Sequence, residues 1–257
     1  MSFSWKTVDL KGKEIPEEIR LKKDCVEINC GFKLIQNAQV YYKEALPPAD
    51  SIKSNVSVLL LHGQRFSSKT WAELGSIKYL AAMGFLTIAI DLPGYGESTA
   101  GKIDDKSEFL HSVFQTFEMD LPVVVSPSMS GQYALQYLLL KGSFLAGYVP
   151  VAPVGYEVLE RLPVCKDKYI ISSIYEPLQK LLYDPVPDLK DIETPTMVVF
   201  GEKDRSRSSA LLSLLPNSQC QEIPNGSHPA YLDNPELWHQ LLYNFLNAVA
   251  EFQAKKS

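Results

Sequence analysis

Val123-Val124-Val125-Ser126-Pro127-Ser128-Met129-Ser130-Gly131 carries three β-branched residues straight into a cluster of small ones, and then into the helix-like stretch Ser130 to Leu140. The valines favour a strand, and Ser128 stands at the bend where that strand would turn into the helix. Such a turn crowds the backbone, so the positions two residues either side of the bend must carry very small side chains. Glycine is the usual solution. Here those positions hold Ser126 and Ser130, with Gly131 one place later, and serine is small enough to keep the turn feasible. Two readings follow: a serine presented for chemistry on a sharp turn, or a serine that only caps the helix.

Working outward, apolar runs of similar kind alternate with helical stretches. Val56 to Leu61, Phe85 to Ile90, Pro122 to Val125, Tyr148 to Val151 and Thr196 to Phe200 are short, β-branched and nearly unbroken. Runs of that kind suit strands of a mostly parallel, doubly wound sheet covered by helices on both faces. The intervening helices are expected near Thr70 to Met83, Lys106 to Glu118 and Ser130 to Leu140. A last one, Pro235 to Phe252, places Leu237, Leu241, Leu242, Phe245, Leu246 and Val249 on one face. Upstream, Cys25 to Asn29 and Gln39 to Tyr42 are read as an antiparallel hairpin at the sheet edge, and residues 1–22 as a loosely attached N-terminal arm. About forty residues separate the sixth strand from the next, more than an ordinary crossover needs. Within that segment, 155–193, Ile170, Ile171, Ile174, Leu178, Leu181 and Leu182 suit an amphipathic helix. It is either a packed surface excursion or a small cap over a pocket.

Four further stretches bear on chemistry. Leu59-Leu60-Leu61-His62-Gly63-Gln64 ends a strand in a loop where glycine lets the backbone approach a substrate. Ile90-Asp91-Leu92-Pro93-Gly94-Tyr95-Gly96-Glu97-Ser98 fits neither a Walker loop nor Gly-x-Gly-x-x-Gly. Asp91 is better read as a brace for its own loop than as a reacting acid. Phe200-Gly201-Glu202-Lys203-Asp204 offers a carboxylate just after a strand. Asp204 is the preferred acid, Glu202 its near rival, and Asp204 could also cap a helix through Ala210 to Leu215. Asn225-Gly226-Ser227-His228-Pro229 puts a histidine in a loop after the short strand Cys220 to Ile223. His111 and His239 fall in helical stretches and are read as solvated or packed.

The chain order Ser128, Asp204, His228 is that of the α/β-hydrolase fold, and the serine bend resembles its nucleophile elbow. The resemblance implies a catalytic triad in which His228 takes the proton from Ser128 and Asp204 fixes the imidazole tautomer. It also implies an oxyanion hole built from the backbone amides of Gln64 and Met129. In that order the base follows the serine, so His62 is expected to be structural. From Gln39 onward the chain is similar to the α/β-hydrolase domain-containing fourteen family, in particular its B form. The resemblance rests on Val58-Leu59-Leu60-Leu61-His62-Gly63, Arg65-Phe66-Ser67-Ser68, Thr70-Trp71, Ser126-Pro127-Ser128-Met129-Ser130-Gly131, Tyr148-Val149-Pro150-Val151-Ala152-Pro153 and Tyr231-Leu232-Asp233. In that family the serine-flanked elbow is the normal form. The resemblance implies a serine hydrolase of small acyl esters or amides that needs no cofactor. For the B form it implies transfer of acetyl from protein lysine to coenzyme A, with Arg65, Lys69 and Arg205 as basic residues that could meet such an anion. Two features depart from the family pattern: the length of 155–193 and the N-terminal arm.

Composition narrows the alternatives. With 257 residues, 46% hydrophobic, one large core and a single domain over 1–257 are expected. A net charge of −5 supplies no basic field for a nucleic-acid backbone or an anionic membrane. The start of the chain lacks a signal-like apolar core, and no apolar run approaches the roughly 20 residues of a membrane span. A cytoplasmic monomer is the expectation, with the nucleus open to it. Cys25, Cys30, Cys165 and Cys220 are read as free thiols, no metal motif is present, and the Asn55 and Asn225 sequons carry no weight in that compartment. The competing class is a non-catalytic interaction module that keeps the fold. An epoxide hydrolase or dehalogenase is disfavoured, because those place Asp at the elbow.

Overall fold

The computed structural model describes residues 5–153, 192–205 and 215–255. Eight strands form one sheet in the order β1-β2-β4-β3-β5-β6-β7-β8. They are β1 Asn29–Ile35, β2 Ala38–Ala45, β3 Ser57–Leu60, β4 Leu86–Ile90, β5 Pro122–Pro127, β6 Gly147–Val151, β7 Thr196–Gly201 and β8 Ser218–Ile223. The pairs β1–β2 and β2–β4 are antiparallel and all the others parallel. This is the α/β-hydrolase fold, as expected from the alternation of buried runs. The strands β3, β5, β6 and β7 are buried along their whole length, as strands covered on both faces must be.

The side-chain alternation of the strands divides the core into two layers. Leu59, Val124, Tyr148 and Val198 face one layer, where they meet Phe109, Leu110 and Val113 of α4 (Lys106–Thr116) and Ala134, Tyr137 and Leu138 of α5 (Gly131–Lys141). Val58, Val123, Val149 and Met197 face the other. There they meet Ile77 and Leu80 of α3 (Ser76–Ala82) and Trp238, Leu241, Leu242 and Phe245 of the long C-terminal helix Pro235–Ala254. Two earlier helices are α1 (Glu17–Lys22) and α2 (Ser68–Glu73); after α5 come α6 (Ala230–Asp233) and the C-terminal helix, α7. Helix starts are fixed by side chains: Asp105 accepts from the Ser107 and Glu108 amides, and Asn234 from the Leu237 amide. The single helix expected over Thr70 to Met83 is divided into α2 and α3, because Gly75 adopts φ +81 between them.

Two expectations need correction. The outer strand begins at Asn29, not Cys25, and Lys23–Cys25 is instead a 3₁₀ turn. Its register is set by the tight connection at Gln36-Asn37, where Gln36 has φ +52 and Ile35 faces Ala38. The N-terminal arm is docked rather than loose. Trp5, Leu10 and Ile15 are buried, and the Trp5 ring lies 5.9 Å from Phe245 and 5.6 Å from Phe252. Side-chain amides tie it down as well: Gln219 donates to the Val8 carbonyl at 3.0 Å, Gln240 to Lys11 at 2.9 Å and Asn244 to Lys13 at 2.8 Å. Three widely spaced apolar residues are enough to seat the arm against β8 and α7. The proposed cap segment 155–193 lies outside the described residues except for its last two, and so do Cys165 and, but for Leu215, the helix expected at Ala210 to Leu215. Among the described residues, Cys25, Cys30 and Cys220 are free, and no helix is long and apolar enough to cross a membrane.

Of the two helical histidines, His239 of α7 is packed. Its Nε2 lies 2.8 Å from Ser76 Oγ and its ring 4.6 Å from Tyr79. Burial, assisted by the charges of Lys23 and Arg20, lowers its pKa to about 3. In the unfolded chain a histidine titrates near 6.5. The unfolded state therefore binds a proton that the folded state refuses, and stability is full above about pH 6.5 and lost as pH falls toward 3. Between pH 7 and pH 4.5 this single group is expected to cost up to about 3 kcal/mol. Urea unfolding at the two pH values measures it, and His239→Gln should flatten the difference.

Candidate active site

The strand β5 ends at Pro127 and a 3₁₀ turn, Ser128–Ser130, leads directly into α5. Ser128 has φ +46, a left-handed conformation that an L-residue with a Cβ adopts at a cost of about 1–2 kcal/mol. The flanking serines make that conformation affordable. Both are fully buried, their hydroxyls lie 3.3 Å apart, and Ser130 Oγ donates to the Pro127 carbonyl at 2.8 Å. Burial pushes the Tyr148 hydroxyl of the neighbouring strand above its usual range. The side chains that replace glycine thus knit the turn instead of merely fitting it.

The loop after β3 passes directly over this bend. A Cβ placed on Gly63 would lie 3.8 Å from Ser128 Cβ and 3.9 Å from the Pro127 carbonyl oxygen. His62 is buried and committed on both nitrogens: Nδ1 lies 2.9 Å from the Gly63 carbonyl, and Nε2 accepts the Leu92 amide at 2.9 Å. A carbonyl can only accept, so the proton sits on Nδ1. Burial lowers the pKa of this ring, which keeps it neutral. His62 therefore ties the β3 loop to the β4 loop. Asp91 braces the latter, accepting from the Ser68 amide at 2.6 Å and the Glu97 amide at 2.9 Å while its own carbonyl accepts from Ser98 Oγ.

On the other side, β7 ends at Gly201 where the β8 loop crosses it. A Cβ on Gly201 would come within 2.3 Å of the Ser227 carbonyl oxygen and 2.5 Å of Gly226. Only glycine permits that approach, which sets the turn Glu202–Asp204 beside the histidine loop. His228 Nδ1 lies 2.5 Å from Asp204 Oδ2, and His228 Nε2 lies 2.9 Å from Ser128 Oγ. A carboxylate only accepts, so Nδ1 carries the proton and Nε2 is left to accept from the serine hydroxyl. The structure thus joins Ser128, His228 and Asp204 in one hydrogen-bonded line. Glu202 is not part of it: its carboxylate accepts the Asn225 amide at 3.0 Å and holds the turn. Met129 adjoins Ser128 and is half-buried, while Gln64 follows Gly63 and is exposed. Beside Gln64, a shallow groove of about 390 Å³ is lined by Arg65, Phe66, Lys69 and Tyr95. Arg205 faces elsewhere, paired with Glu222 at 2.6 and 2.7 Å.

Two supports, Asp233 and Tyr231, lie in a phrase that the sequence offers only as part of the family resemblance, without a role. Asp233 accepts from both the amide and the hydroxyl of Ser227, each at 2.6 Å. Tyr231 packs at 4.7 Å, tilted, against Trp71, whose indole N–H donates to the Leu61 carbonyl at 2.7 Å. The signal was a buried aromatic and a carboxylate one helical turn after the histidine. Trp71→Phe keeps most of the ring but orphans a buried carbonyl, and is expected to destabilise the fold by about 1–3 kcal/mol in denaturant unfolding.

Among the described residues, no group of His, Cys, Asp and Glu side chains could hold a metal ion. The model of the alpha/beta hydrolase family matches residues 58–172. The chain is 37% identical over 233 residues, covering 87% of itself and 98% of the relative, to a human protein named "Putative protein-lysine deacylase ABHD14B". It is 34% identical to the zebrafish (Danio rerio) protein ABHD14A, over 81% of this chain and 72% of that one. Among solved structures, carboxylesterase CesB from Bacillus subtilis superposes with a TM-score of 0.62 at 18% identity, over 89% of this chain and 96% of that one.

Proposed function

Because the chain belongs to the ABHD14 group of the α/β-hydrolase family, nearer to its B form, we propose that it is a serine hydrolase working through an acyl-enzyme on Ser128. The hydrogen-bonded line from Asp204 through His228 to Ser128 carries this reading. Ser128 Oγ attacks the acyl carbonyl carbon while His228 Nε2 takes the hydroxyl proton. Asp204 holds the tautomer that leaves Nε2 free and stabilises the imidazolium. The Gln64 and Met129 amides receive the oxyanion, each contributing on the order of 3 kcal/mol where such donors have been removed. His228 then returns the proton to the leaving group, and an acceptor activated the same way releases the acyl group.

The preferred substrates are small acyl esters or amides, handled within one domain and with no cofactor in the chemical step. A second reading is deacylation of protein lysine with coenzyme A as acceptor, and its lysine-deacylase half is favoured by the name of the human relative. In the groove beside Gln64 Arg65 could meet an anionic acceptor, while Lys69 is paired there with Glu73 at 3.5 Å. The experiment is turnover of p-nitrophenyl acetate and of an acetyl-lysine peptide, with and without coenzyme A, with intact-mass detection of a transient acetyl adduct. Acetyl-coenzyme A formed from the peptide selects the second reading, and ester hydrolysis indifferent to the thiol selects the first. Absence of any adduct under single-turnover conditions contradicts both.

A further inference from the structure

We propose that Asp233 is a positioning residue that fixes the height and tilt of the His228 loop through its double hydrogen bond to Ser227. The inference rests on the reading of His228 as the base. Ser227 immediately precedes His228, so whatever fixes the Ser227 backbone fixes the origin of the imidazole side chain. Both Ser227 donors, N–H and O–H, converge on the same carboxylate oxygen at 2.6 Å. Those donors hold the Asp233 carboxyl below its ordinary range, as expected for a group that accepts strongly as an anion.

The carboxylate is itself anchored. Asp233 ends α6, and two residues earlier Tyr231 is buried against Trp71 at 4.7 Å and Trp238 at 5.9 Å. Trp71 in turn bonds the Leu61 carbonyl, two residues before Gly63 of the loop over Ser128. The aromatic cluster therefore references the base loop and the Gly63 loop to one rigid body. On the far side, Glu202 holds the Asn225 amide. The histidine loop is gripped at 225 and at 227, with Gly226 pressed on Gly201 between them. Removing the grip at 227 leaves two donors to water and frees the segment that carries His228. Reacting groups tolerate little of this, since a displacement of 1 Å can cost about 10²-fold in rate.

The test uses the full chain with Asp233→Ala, Asp233→Asn, Ser227→Ala and the double variant of the two alanines, assayed for kcat and KM on p-nitrophenyl acetate and for the rate of fluorophosphonate labelling. Asp233→Ala is expected to lower kcat and labelling roughly ten- to a hundredfold with KM within about twofold. Asp233→Asn keeps one oxygen to accept both Ser227 donors and should recover most of that loss. Ser227→Ala keeps the amide donor and should lose only about three- to tenfold. The double variant should be no worse than Asp233→Ala, because both cut one contact. Wild-type kcat in Asp233→Ala and Ser227→Ala, or a loss that matches the unfolded fraction seen by circular dichroism, overturns the proposal. If Asp233→Ala fails to fold, Ser227→Ala decides alone, and wild-type kcat there overturns it. Ser128→Ala runs alongside: label persisting on that variant defeats the underlying reading instead, whatever Asp233→Ala does.

Discussion

Ser128→Ala is expected to reduce acyl-ester turnover by up to about 10⁶, the loss seen when the nucleophile of a serine triad is removed, and to abolish labelling by a serine-directed phosphonate. The fold should survive, because the turn is held by Ser126, Ser130 and the Pro127 carbonyl rather than by the Ser128 side chain. Relief of the φ +46 conformation is not gained by alanine, which carries the same Cβ. Ser126→Ala and Ser130→Ala should keep the label, since neither hydroxyl reaches His228 in the structure. Steady-state kinetics and a gel-based probe read all three variants.

Asp204→Asn is expected to lower the acylation rate by up to about 10⁴. The amide can present N–H where the carboxylate accepted, which drives His228 toward the tautomer with its proton on Nε2, where it cannot accept from Ser128. Glu202→Gln retains an acceptor for the Asn225 amide and leaves Nδ1 of His228 with its partner. It should therefore cost about tenfold or less. Pre-steady-state burst rates separate the two, and a larger loss in Glu202→Gln would transfer the acid's role to Glu202.

Much of the fold was legible because fully buried parallel strands leave unbroken β-branched runs, and five of the eight strands announced themselves in that way. The edge strand β1 did not, since only its last residue, Ile35, is buried and its register is set by a two-residue turn at Gln36-Asn37 that contains no glycine. Gly75 lay inside a periodic apolar pattern, where its positive φ could not be foreseen from spacing alone. The N-terminal arm misled because its buried residues Trp5, Leu10 and Ile15 are too far apart to make a periodic signal, and the ring partners of Trp5, Phe245 and Phe252, lie more than two hundred residues away. At the site, residue types and chain order were enough to select Ser128, Asp204 and His228 as a set that the structure brings within hydrogen-bonding distance. The separation of Asp204 from Glu202, and the parts played by Asp233 and Tyr231, depend on the crossing of two loops at Gly201 and Gly226. Nothing local in the sequence encodes that crossing.

The most direct test of Ser128 as the nucleophile is to map the adduct in the unmodified protein: treat it with an alkyl fluorophosphonate, digest it, and sequence the modified peptide by tandem mass spectrometry. One phosphonyl group per chain on Ser128, formed at a rate that His228→Ala suppresses, is the result expected here. An adduct on any other residue, or a protein that stays unmodified while a reference serine esterase is fully labelled, would contradict it.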